Sequence, residues 1–362
     1  KKVGVSVYTL KLLEYFQKQA AADLQFKIFL RQLPLADLPQ PTDFFQYEIV
    51  QGNFLWSQLF LPIALYKNRF SRKKLSVFFA PAHYAPRFCP FPIVTTIHDL
   101  SYFYYPQEFL KKDLYQLKNW TQYSVEKAQA VIAVSQTTKK DLVKFYKIPE
   151  EKTTVIYNGY EKRYQQTTNR QLPTTNHQYI LFVGTLQPRK NISCLIKAFC
   201  LFSEKYPDFR LIITGKKGWL YEDIMAEAQN SSCREKITFT DYVSDHQLAE
   251  LYQNAACYVL PSFYEGFGIP VLEAMSYGCP VICSFTASLP EVAADAALYF
   301  DPDSYEELAE KLSLLQENKD LKKELIKKGR ERITQFSWTK CAKETLERSE
   351  EHTSELQSRS DL

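Results

Sequence analysis

Short apolar runs alternate with amphipathic segments along most of the chain. The apolar runs predict buried strands at residues 24–30, 77–80, 93–97, 130–134, 153–157, 179–183, 209–214, 237–240, 255–260, 280–283 and 298–300. The segments between them predict helices at residues 10–16, 54–66 (broken or kinked at Pro62), 111–128, 136–146, 192–199, 245–255, 288–292, 306–315, 321–333 and from 336 onward. Because strands and helices alternate without hairpin signals, we expect an α/β fold with two doubly wound parallel sheets.

A polar segment at residues 161–178, rich in Gln, Thr and Asn, interrupts this alternation. It predicts a boundary between an N-terminal domain at residues 1–160 and a C-terminal domain at residues 161–335. The tail at residues 348–362 is similar to a translated sequencing-adapter oligonucleotide, so we interpret it as an artefact and exclude it from the predicted fold.

The stretch at residues 261–278, PSFYEGFGIPVLEAMSYG, carries the densest chemistry in the chain. A loop with Glu265 and two glycines around Phe267 follows a predicted strand, and small residues let backbone amides approach a ligand closely. Pro270 suits the first position of a helix, which places Glu273 in about the first turn. Amides can hold a phosphate and carboxylates can accept hydrogen bonds from hydroxyls, and a sugar nucleotide offers both groups.

This stretch resembles the E-x7-E motif of the family 4 retaining glycosyltransferases, which have the GT-B fold. The resemblance implies that Glu265, with the amides of Gly266, Phe267 and Gly268, meets the donor sugar and that Glu273 binds the donor ribose. It also implies two Rossmann-like domains facing a cleft, with a last helix at residues 336–347 completing the first domain. Catalytic roles fall on His98, Glu265 and Lys190, and the other donor-binding positions are Gly184, Thr185, Arg189, Tyr242, Val243 and Ile269.

A basic loop follows the strand at residues 179–183, before the next predicted helix. Arg189 offers a planar fork and Lys190 a compact charge, and both suit a diphosphate. A solvated basic loop is the alternative, which we consider weaker because the loop has the same strand-loop-helix context as the carboxylate motif. Thr185 stands where many members of the family place an Arg, and we expect Arg189 to substitute. The turn at residues 241–243 resembles the family's nucleobase-binding turn.

In the first half, His98 and Asp99 follow the strand at residues 93–97. Open α/β sheets bind ligands beyond the carboxyl ends of their strands, and the resemblance implies that His98 contacts the donor sugar. A structural imidazole is the simpler alternative. We expect Gly4, His83 and Asp99 on the acceptor side, and for His83 the alternative is that it only holds a loop. Gly4 matches the family's glycine loop, which in the family follows a first strand, so we expect the chain to be an N-terminal fragment without that strand.

Composition narrows the possible partners. Hydrophobic residues make up 45% and charged residues 24% of the 362 residues, as in soluble globular proteins, and no apolar run is long enough to span a membrane. The net charge of +4 suits anionic nucleotides or an anionic membrane surface but does not argue for nucleic acid. The basic residues at 67–74, beside the apolar segment 54–66, either touch a membrane or form a solvated helix end, which is our preferred interpretation.

Cysteines and acidic residues give no sign of a metal or cofactor. The eight cysteines form no C-x-x-C pair, so we expect reduced thiols and no zinc site. Residues 301–303, Asp-Pro-Asp, precede a helix and predict a turn and cap rather than a metal site. We therefore expect no metal requirement and no cofactor. No motif supports the pyridoxal phosphate that GT-B phosphorylases need.

Together these features predict a cytoplasmic, metal-independent retaining hexosyltransferase, with peripheral membrane contact left open. The resemblance implies a nucleotide-diphosphate sugar as donor, with GDP-mannose ahead of UDP-glucose, and a glycan or lipid-linked acceptor in cell-surface polysaccharide synthesis. No carboxylate is an obvious nucleophile, which agrees with the family's front-face route. The alternative is a non-catalytic protein or inactive fragment that binds a sugar nucleotide or a glycan. The sequence leaves the oligomeric state open.

Overall fold

The chain folds into two compact units, each with its own sheets. The computed structural model describes residues 4–53, 55–71, 75–162 and 178–360, with the backbone alone for 352–360. The first unit comprises the described parts of Lys1–Tyr104, Phe109–Gly159 and Ser337–Leu362, and the second comprises Tyr105–Glu108 and the described part of Tyr160–Phe336. The four residues Tyr105–Glu108 lie within the predicted N-terminal domain in sequence, but they belong to the second unit in the structure.

Both units are built from parallel strands joined by helices. The strands are β1 (Phe26–Leu30), β2 (Phe45–Ile49), β3 (Phe78–Ala80), β4 (Ile93–Ile97), β5 (Ala130–Ala133), β6 (Thr153–Val155), β7 (Tyr179–Val183), β8 (Arg210–Thr214), β9 (Ile237–Phe239), β10 (Cys257–Leu260), β11 (Val281–Ser284) and β12 (Ala297–Phe300). The helices are α1 (Val5–Gln19), α2 (Phe60–Arg69), α3 (Ser101–Tyr104), α4 (Lys111–Lys127), α5 (Gln136–Tyr146), α6 (Ile192–Lys205), α7 (Glu222–Asn230), α8 (Asp245–Asn254), α9 (Ile269–Ser276), α10 (Leu289–Ala293), α11 (Tyr305–Glu317), α12 (Lys319–Ile333) and α13 (Trp338–Ser360).

In the first unit, β3, β4, β5 and β6 form a parallel sheet in that order, and β1 pairs with β2 in a second parallel sheet. Strands β4 and β5 are buried throughout, and their side chains alternate between two cores. Val94 packs with Tyr8 of α1 and Cys341 of α13 on one face. Val131 packs with Leu142 of α5 on the other. Because helices cover both faces of this sheet, every position of the two strands is buried, and their sequences do not alternate between apolar and exposed polar residues.

The second unit contains one six-stranded parallel sheet with the order β12-β11-β10-β7-β8-β9. The first strand of this unit, β7, lies in the middle, so successive strands are added first on one side and then on the other. This is the strand order of the Rossmann fold. The parallel sheets in both units confirm the predicted α/β class.

Side-chain caps mark the starts of three helices. The Ser135 hydroxyl accepts the Thr138 amide at the start of α5, at 3.0 Å. Ser244 caps α8 in a reciprocal capping box. The Ser304 hydroxyl accepts the Glu307 amide at 3.1 Å. The capped start of α11 agrees with the predicted turn and cap at residues 301–304.

The helix predicted at residues 54–66 is wrong in its position. Helix α2 begins at Phe60, and Leu55 has a positive φ of 54°, which is incompatible with a helix. Pro62 is the third residue of α2 and therefore neither breaks nor kinks it, because proline is tolerated in the first turn. The long apolar run hid this boundary, since no side chain caps the start of α2.

The prediction of eight reduced cysteines is also wrong. Cys200 on α6 and Cys233 after α7 form a disulfide, with their Cα atoms 5.2 Å apart. The two cysteines are 33 residues apart in sequence, so the spacing of cysteines gave no sign of the pair. Packing of α6 near the end of α7 brings them together.

The first residues of the tail, from Arg348, continue helix α13 of the first unit. Helix α13 continues without a break past residue 348 to Ser360. Ser349 is buried and its hydroxyl donates to the Thr345 carbonyl at 2.8 Å, while Arg348 pairs with Glu351 at 2.9 Å. Helix α13 therefore extends beyond the predicted helix at residues 336–347, and the interpretation of residues 348–362 as an artefact stays a prediction.

Two sequence predictions fall on residues outside the described ranges. These are most of the polar segment at 161–178 and the basic residues 72–74. Across the described parts of the chain, we find no helix with both the length and the apolar character required to cross a membrane.

Candidate active site

The two sequence motifs of the second unit meet at one point of its sheet. Strands β7 and β10 are neighbours, with Ile180 paired to Cys257, although two strands separate them in sequence. From here the strand order runs in opposite directions, and such a switch point leaves a crevice beyond the carboxyl ends of its strands. The basic loop at 184–191 follows β7, and the carboxylate loop at 261–268 follows β10.

The backbone holds the basic loop in a fixed conformation. Residues Pro188–Lys190 form one turn of 3₁₀ helix, and Asn191 adopts a left-handed conformation with φ 51° before α6 begins. The Arg189 amide donates to the Glu108 carboxylate at 3.0 Å, and the Arg189 carbonyl accepts the Phe263 amide at 3.0 Å. The two loops are therefore connected through their backbones.

Cations of the basic loop surround Glu265. The Lys190 ammonium donates to Glu265 Oε1 at 2.5 Å, and Ser262 Oγ donates to the same oxygen at 2.6 Å. Arg189 lies 3.7 Å from Glu265 Oε2, and its guanidinium also donates to the Tyr264 carbonyl. All three charged side chains are largely buried, between 11% and 13% exposed.

The charge of Glu265 depends on these neighbours. Burial alone would raise the pKa of its carboxyl, but the ammonium of Lys190 and the guanidinium of Arg189 hold that pKa below its usual value. A buried carboxylate thus stays ionised between two cations. Together the three groups offer hydrogen-bond acceptors for hydroxyls and positive charge for a phosphate within one small region.

A serine and a glycine shape the turn between Glu265 and α9. Ser288 Oγ lies 2.8 Å from the Glu265 carbonyl oxygen and 3.0 Å from that of Phe267. Gly268 has φ 102°, and a Cβ at this position would lie 2.8 Å from a methyl of Leu289. The glycine is therefore favoured both by its backbone angle and by the close approach of the Leu289 side chain. Helix α9 starts directly afterwards at Ile269.

Glu273 lies further along α9 than predicted. It is the fifth residue of the helix, so it belongs to the second turn rather than the first, where a dipole effect on it would be strongest. The Tyr252 hydroxyl donates to its Oε2 at 3.2 Å. Glu273 lines a small cavity together with Tyr160, Asp245, Leu248, Ala249, Tyr252 and Tyr277.

The other predicted donor positions cluster at the ends of β7, β8 and β9. A Cβ on Gly215 would lie 1.8 Å from the Gly184 carbonyl oxygen, so the two loops touch through their backbones. The Gly215 amide donates to the Asp241 carbonyl at 3.0 Å. Tyr242 is 48% exposed, and the Lys216 ammonium lies 5.7 Å from the centroid of its ring. Thr185 is exposed and Val243 is half-buried.

In the first unit, His98 follows β4 as predicted. Its Nε2 lies 2.8 Å from the Pro81 carbonyl oxygen. A carbonyl only accepts, so Nε2 carries the proton and Nδ1 of the neutral ring holds a lone pair. Burial, with a smaller effect from His83, lowers the pKa of His98 to about 4. The ring is therefore neutral near pH 7 and can accept a hydrogen bond at Nδ1.

His83 lies next to His98, with 5.9 Å between the ring centroids. It has a strained φ of 35°, and its Nδ1 is buried without a hydrogen-bond partner among the described residues. Burial lowers its pKa, although Asp99 opposes this effect. Asp99 itself accepts the amide and the hydroxyl of Ser101 at the start of α3, which is a capping role. Gly4 begins α1 with φ 50° and open space around its Cα.

Sequence reasoning missed three residues of the site. Ser262 and Ser288 bond to Glu265, and Glu108 fixes the Arg189 amide. Ser262 lies inside the motif that was recognised, so its hydroxyl three residues before the glutamate was a usable signal. Glu108 lies 81 residues from Arg189 and carries no local signal.

Two family models cover nearly the whole chain. Residues 165–332 match the model of the glycosyl transferases group 1, and residues 4–163 match that of glycosyltransferase family 4. The chain is also 32% identical over 262 residues to O-antigen chain mannosyltransferase B of Escherichia coli, covering 70% of this chain and 68% of that protein. The chain belongs to the family 4 glycosyltransferases. It is a glycosyltransferase enzyme, as the sequence motifs predicted.

A second relative and two solved structures are also similar to this glycosyltransferase. It is 34% identical over 209 residues to O-antigen chain mannosyltransferase RfbU of Salmonella typhimurium, covering 58% of this chain and 56% of that protein. Sucrose-phosphate synthase from Thermosynechococcus elongatus matches with a TM-score of 0.75 at 20% identity, over 97% of this chain and 94% of the other. Anabaena HepE in complex with UDP-glucose matches with a TM-score of 0.73 at 18% identity, over 96% of both chains. These likenesses confirm the GT-B fold.

Proposed function

We propose that this glycosyltransferase moves a mannosyl group from GDP-mannose, with retention of configuration, to a growing cell-surface polysaccharide or its lipid-linked precursor on the cytoplasmic side. Mannose is favoured over glucose because two relatives are named O-antigen chain mannosyltransferases. The same site chemistry would accept UDP-glucose, and the experiment below distinguishes the two donors.

The observation that carries the proposal is the contact of Lys190 and Arg189 with Glu265 at the switch point of the second sheet. When a glycosidic bond to a diphosphate breaks, negative charge builds on the leaving oxygen. Fixed cations stabilise that charge most effectively where water is excluded, and both side chains are largely buried. Glu265 remains ionised and can accept hydrogen bonds from sugar hydroxyls, which orients the ring.

The donor's own phosphate completes the proposed chemistry. The acceptor hydroxyl attacks the anomeric carbon on the face that the diphosphate leaves, and its proton passes to a phosphate oxygen. No step needs a carboxylate nucleophile. His98 of the first unit offers a neutral imidazole whose Nδ1 can accept a hydrogen bond from a sugar hydroxyl. Because Lys190 and Arg189 carry the positive charge at the phosphates, we expect no metal requirement, and turnover should survive EDTA.

Donor use is tested by thermal shift and turnover with GDP-mannose, UDP-glucose, GDP and UDP. We expect a shift with GDP-mannose and GDP, lost in Lys190→Ala and Glu273→Ala, and release of GDP in the presence of a mannan-type oligosaccharide acceptor. Lys197→Ala is the matched control, since this lysine is 52% exposed and pairs with Glu227 at 3.4 Å on α7. NMR of the product should show the anomeric configuration of the donor.

Other outcomes would redirect the proposal. A shift with UDP-glucose alone would replace mannose by glucose. Binding of a nucleotide without any turnover would favour a non-catalytic sugar-nucleotide-binding protein. An effect of Lys197→Ala equal to that of Lys190→Ala would contradict the assigned site.

A further inference from the structure

Helix α2 of the first unit turns an apolar stripe towards solvent. Its inward face buries Leu61, Pro62, Ala64, Leu65 and Asn68. The opposite face carries Leu59, Ile63, Tyr66 and Phe70, which are 51%, 56%, 43% and 84% exposed. These four positions follow helical spacing and lie on one side of the helix. A surface helix of a globular protein normally carries polar residues there.

Cations flank the stripe on both sides. Lys67 and Arg69 are exposed and belong to the last turn of α2. At 3.6 residues per turn, Lys67 lies about 70° to one side of the stripe and Arg69 about 90° to the other. Long basic side chains in such positions can lie along an apolar surface while their charges reach outward.

Another exposed aromatic side chain, Phe88, lies in a loop that is hydrogen-bonded to Gln58, close to the start of this helix. The Gln58 side chain donates to the Ala85 carbonyl at 3.3 Å and accepts the Arg87 amide at 3.2 Å. These hydrogen bonds hold the loop that presents Phe88, which is 72% exposed with a positive φ of 58°. Phe88 therefore presents an apolar side chain to solvent from a left-handed backbone position.

The sequence around this surface contains no acid. Between Glu48 and Asp99 there are fifty residues without Asp or Glu, and six of them are basic: Lys67, Arg69, Arg72, Lys73, Lys74 and Arg87. Glu48 reaches α2 through Asn68, but its carboxylate also pairs with Lys27 at 3.3 Å. The stretch of sequence that contains the stripe therefore carries charges of one sign, which suits an anionic partner.

We propose that this surface, the α2 face (Leu59, Ile63, Tyr66, Lys67, Arg69, Phe70 and Phe88), docks on a bilayer containing anionic phospholipids. Helices that lie in a membrane interface combine an apolar face with flanking cations, which meet lipid phosphates while aromatic and aliphatic side chains enter the headgroup region. The apolar side chains protrude instead of lining a groove, which fits a fluid surface. The inference does not depend on the identity of the donor or on turnover.

Vesicle co-sedimentation of the whole chain tests this surface. We expect binding to phosphatidylglycerol mixed with phosphatidylcholine and weak binding to phosphatidylcholine alone. The double variant Ile63→Ser/Phe70→Ser should weaken binding to the mixed vesicles by about tenfold or more, since both apolar side chains enter the bilayer. Lys67→Gln/Arg69→Gln should weaken it less and remove most of its salt dependence.

Two exposed leucines provide a matched control. Leu33 and Leu35 are 78% and 68% exposed in another loop of the first unit, so Leu33→Ser/Leu35→Ser should bind vesicles like the unchanged protein. Circular dichroism shows whether each variant is folded. Equal binding of Ile63→Ser/Phe70→Ser and Leu33→Ser/Leu35→Ser to anionic vesicles would overturn the proposal. A lack of binding of the unchanged protein to these vesicles would overturn it too. Loss of a dimer in the α2 variants, without loss of vesicle binding, would assign the α2 face to a second copy instead.

Discussion

Glu265 shows how a single residue serves both the fold and the site. Its carboxylate is buried, and its charge is maintained by Lys190 and Arg189. Removing one member of a buried pair leaves the other charge uncompensated, which costs more than the pair contributes. Substitutions here should therefore change the free energy of unfolding as well as the proposed catalysis.

Glu265→Gln should lower the free energy of unfolding by about 3 kcal/mol because Lys190 is left buried without its counter-charge. Adding Lys190→Met should recover most of this loss. Urea unfolding measures both effects. The control is Glu317→Gln, since Glu317 and its partner Lys205 are more than half exposed and solvent screens the attraction between them. If Glu265→Gln and Glu317→Gln lower the free energy of unfolding equally, burial of the Lys190–Glu265 pair has no effect of its own and the prediction is wrong.

His98 makes stability depend on pH. The folded ring has a pKa of about 4, below the ordinary value of 6.5. Between these values the unfolded chain binds a proton that the folded chain does not, so stability is lost as pH falls from about 6.5 to 4. His98→Asn should flatten this decline. His83, whose pKa is also lowered, preserves part of it.

Unfolding midpoints between pH 7 and pH 4 test this prediction, with His246→Asn as the control. His246 serves as the comparison because its imidazole lies on α8 and is 41% exposed, unlike the buried imidazole of His98. A decline as steep in His98→Asn as in the unchanged protein would contradict the assigned cause.

At the scale of elements, Gly268 combines two demands that can be separated. It has φ 102° and lies close to Leu289, whereas Gly4 has φ 50° and nothing within 4 Å of an added Cβ. We expect Gly268→Ala to cost more than about 2 kcal/mol and Gly4→Ala about 1 kcal/mol, because only the first adds a clash to backbone strain. Urea unfolding of both variants measures the difference, and similar costs would assign it to backbone strain alone.

Elements defined by local patterns were predicted well from the sequence. Strands β4 and β7 and helix α5 begin and end where the pattern of apolar and amphipathic segments indicated. Errors arose where local signals were weak or misleading. The apolar run ahead of α2 concealed its start, and the position of Pro270 suggested an earlier turn for Glu273. The roles of Glu108 and the Cys200–Cys233 pair depend on contacts distant in sequence, which no local pattern encodes.

At the scale of the whole molecule, each unit has fully buried strands of its own, β4 and β5 in the first and β10 and β11 in the second, so each is expected to have its own unfolding transition. All proposed phosphate-binding cations belong to the second unit. Excess GDP should therefore raise the midpoint of one transition more than that of the other. Differential scanning calorimetry with and without GDP measures this. Lys190→Ala should abolish the selective shift, while Lys197→Ala should retain it.

During synthesis, the first unit cannot be completed until helix α13 has been made. This helix covers the face of the sheet where Tyr8 packs, yet it begins at Trp338, after the whole second unit. At about 5–20 residues per second, a ribosome needs roughly 10–35 seconds to pass from Gly159 to α13. During that interval the half-built first unit leaves apolar side chains of α1 and β4 uncovered. Nascent chains halted in the second unit should therefore bind chaperones at this face, and chains released after α13 should not.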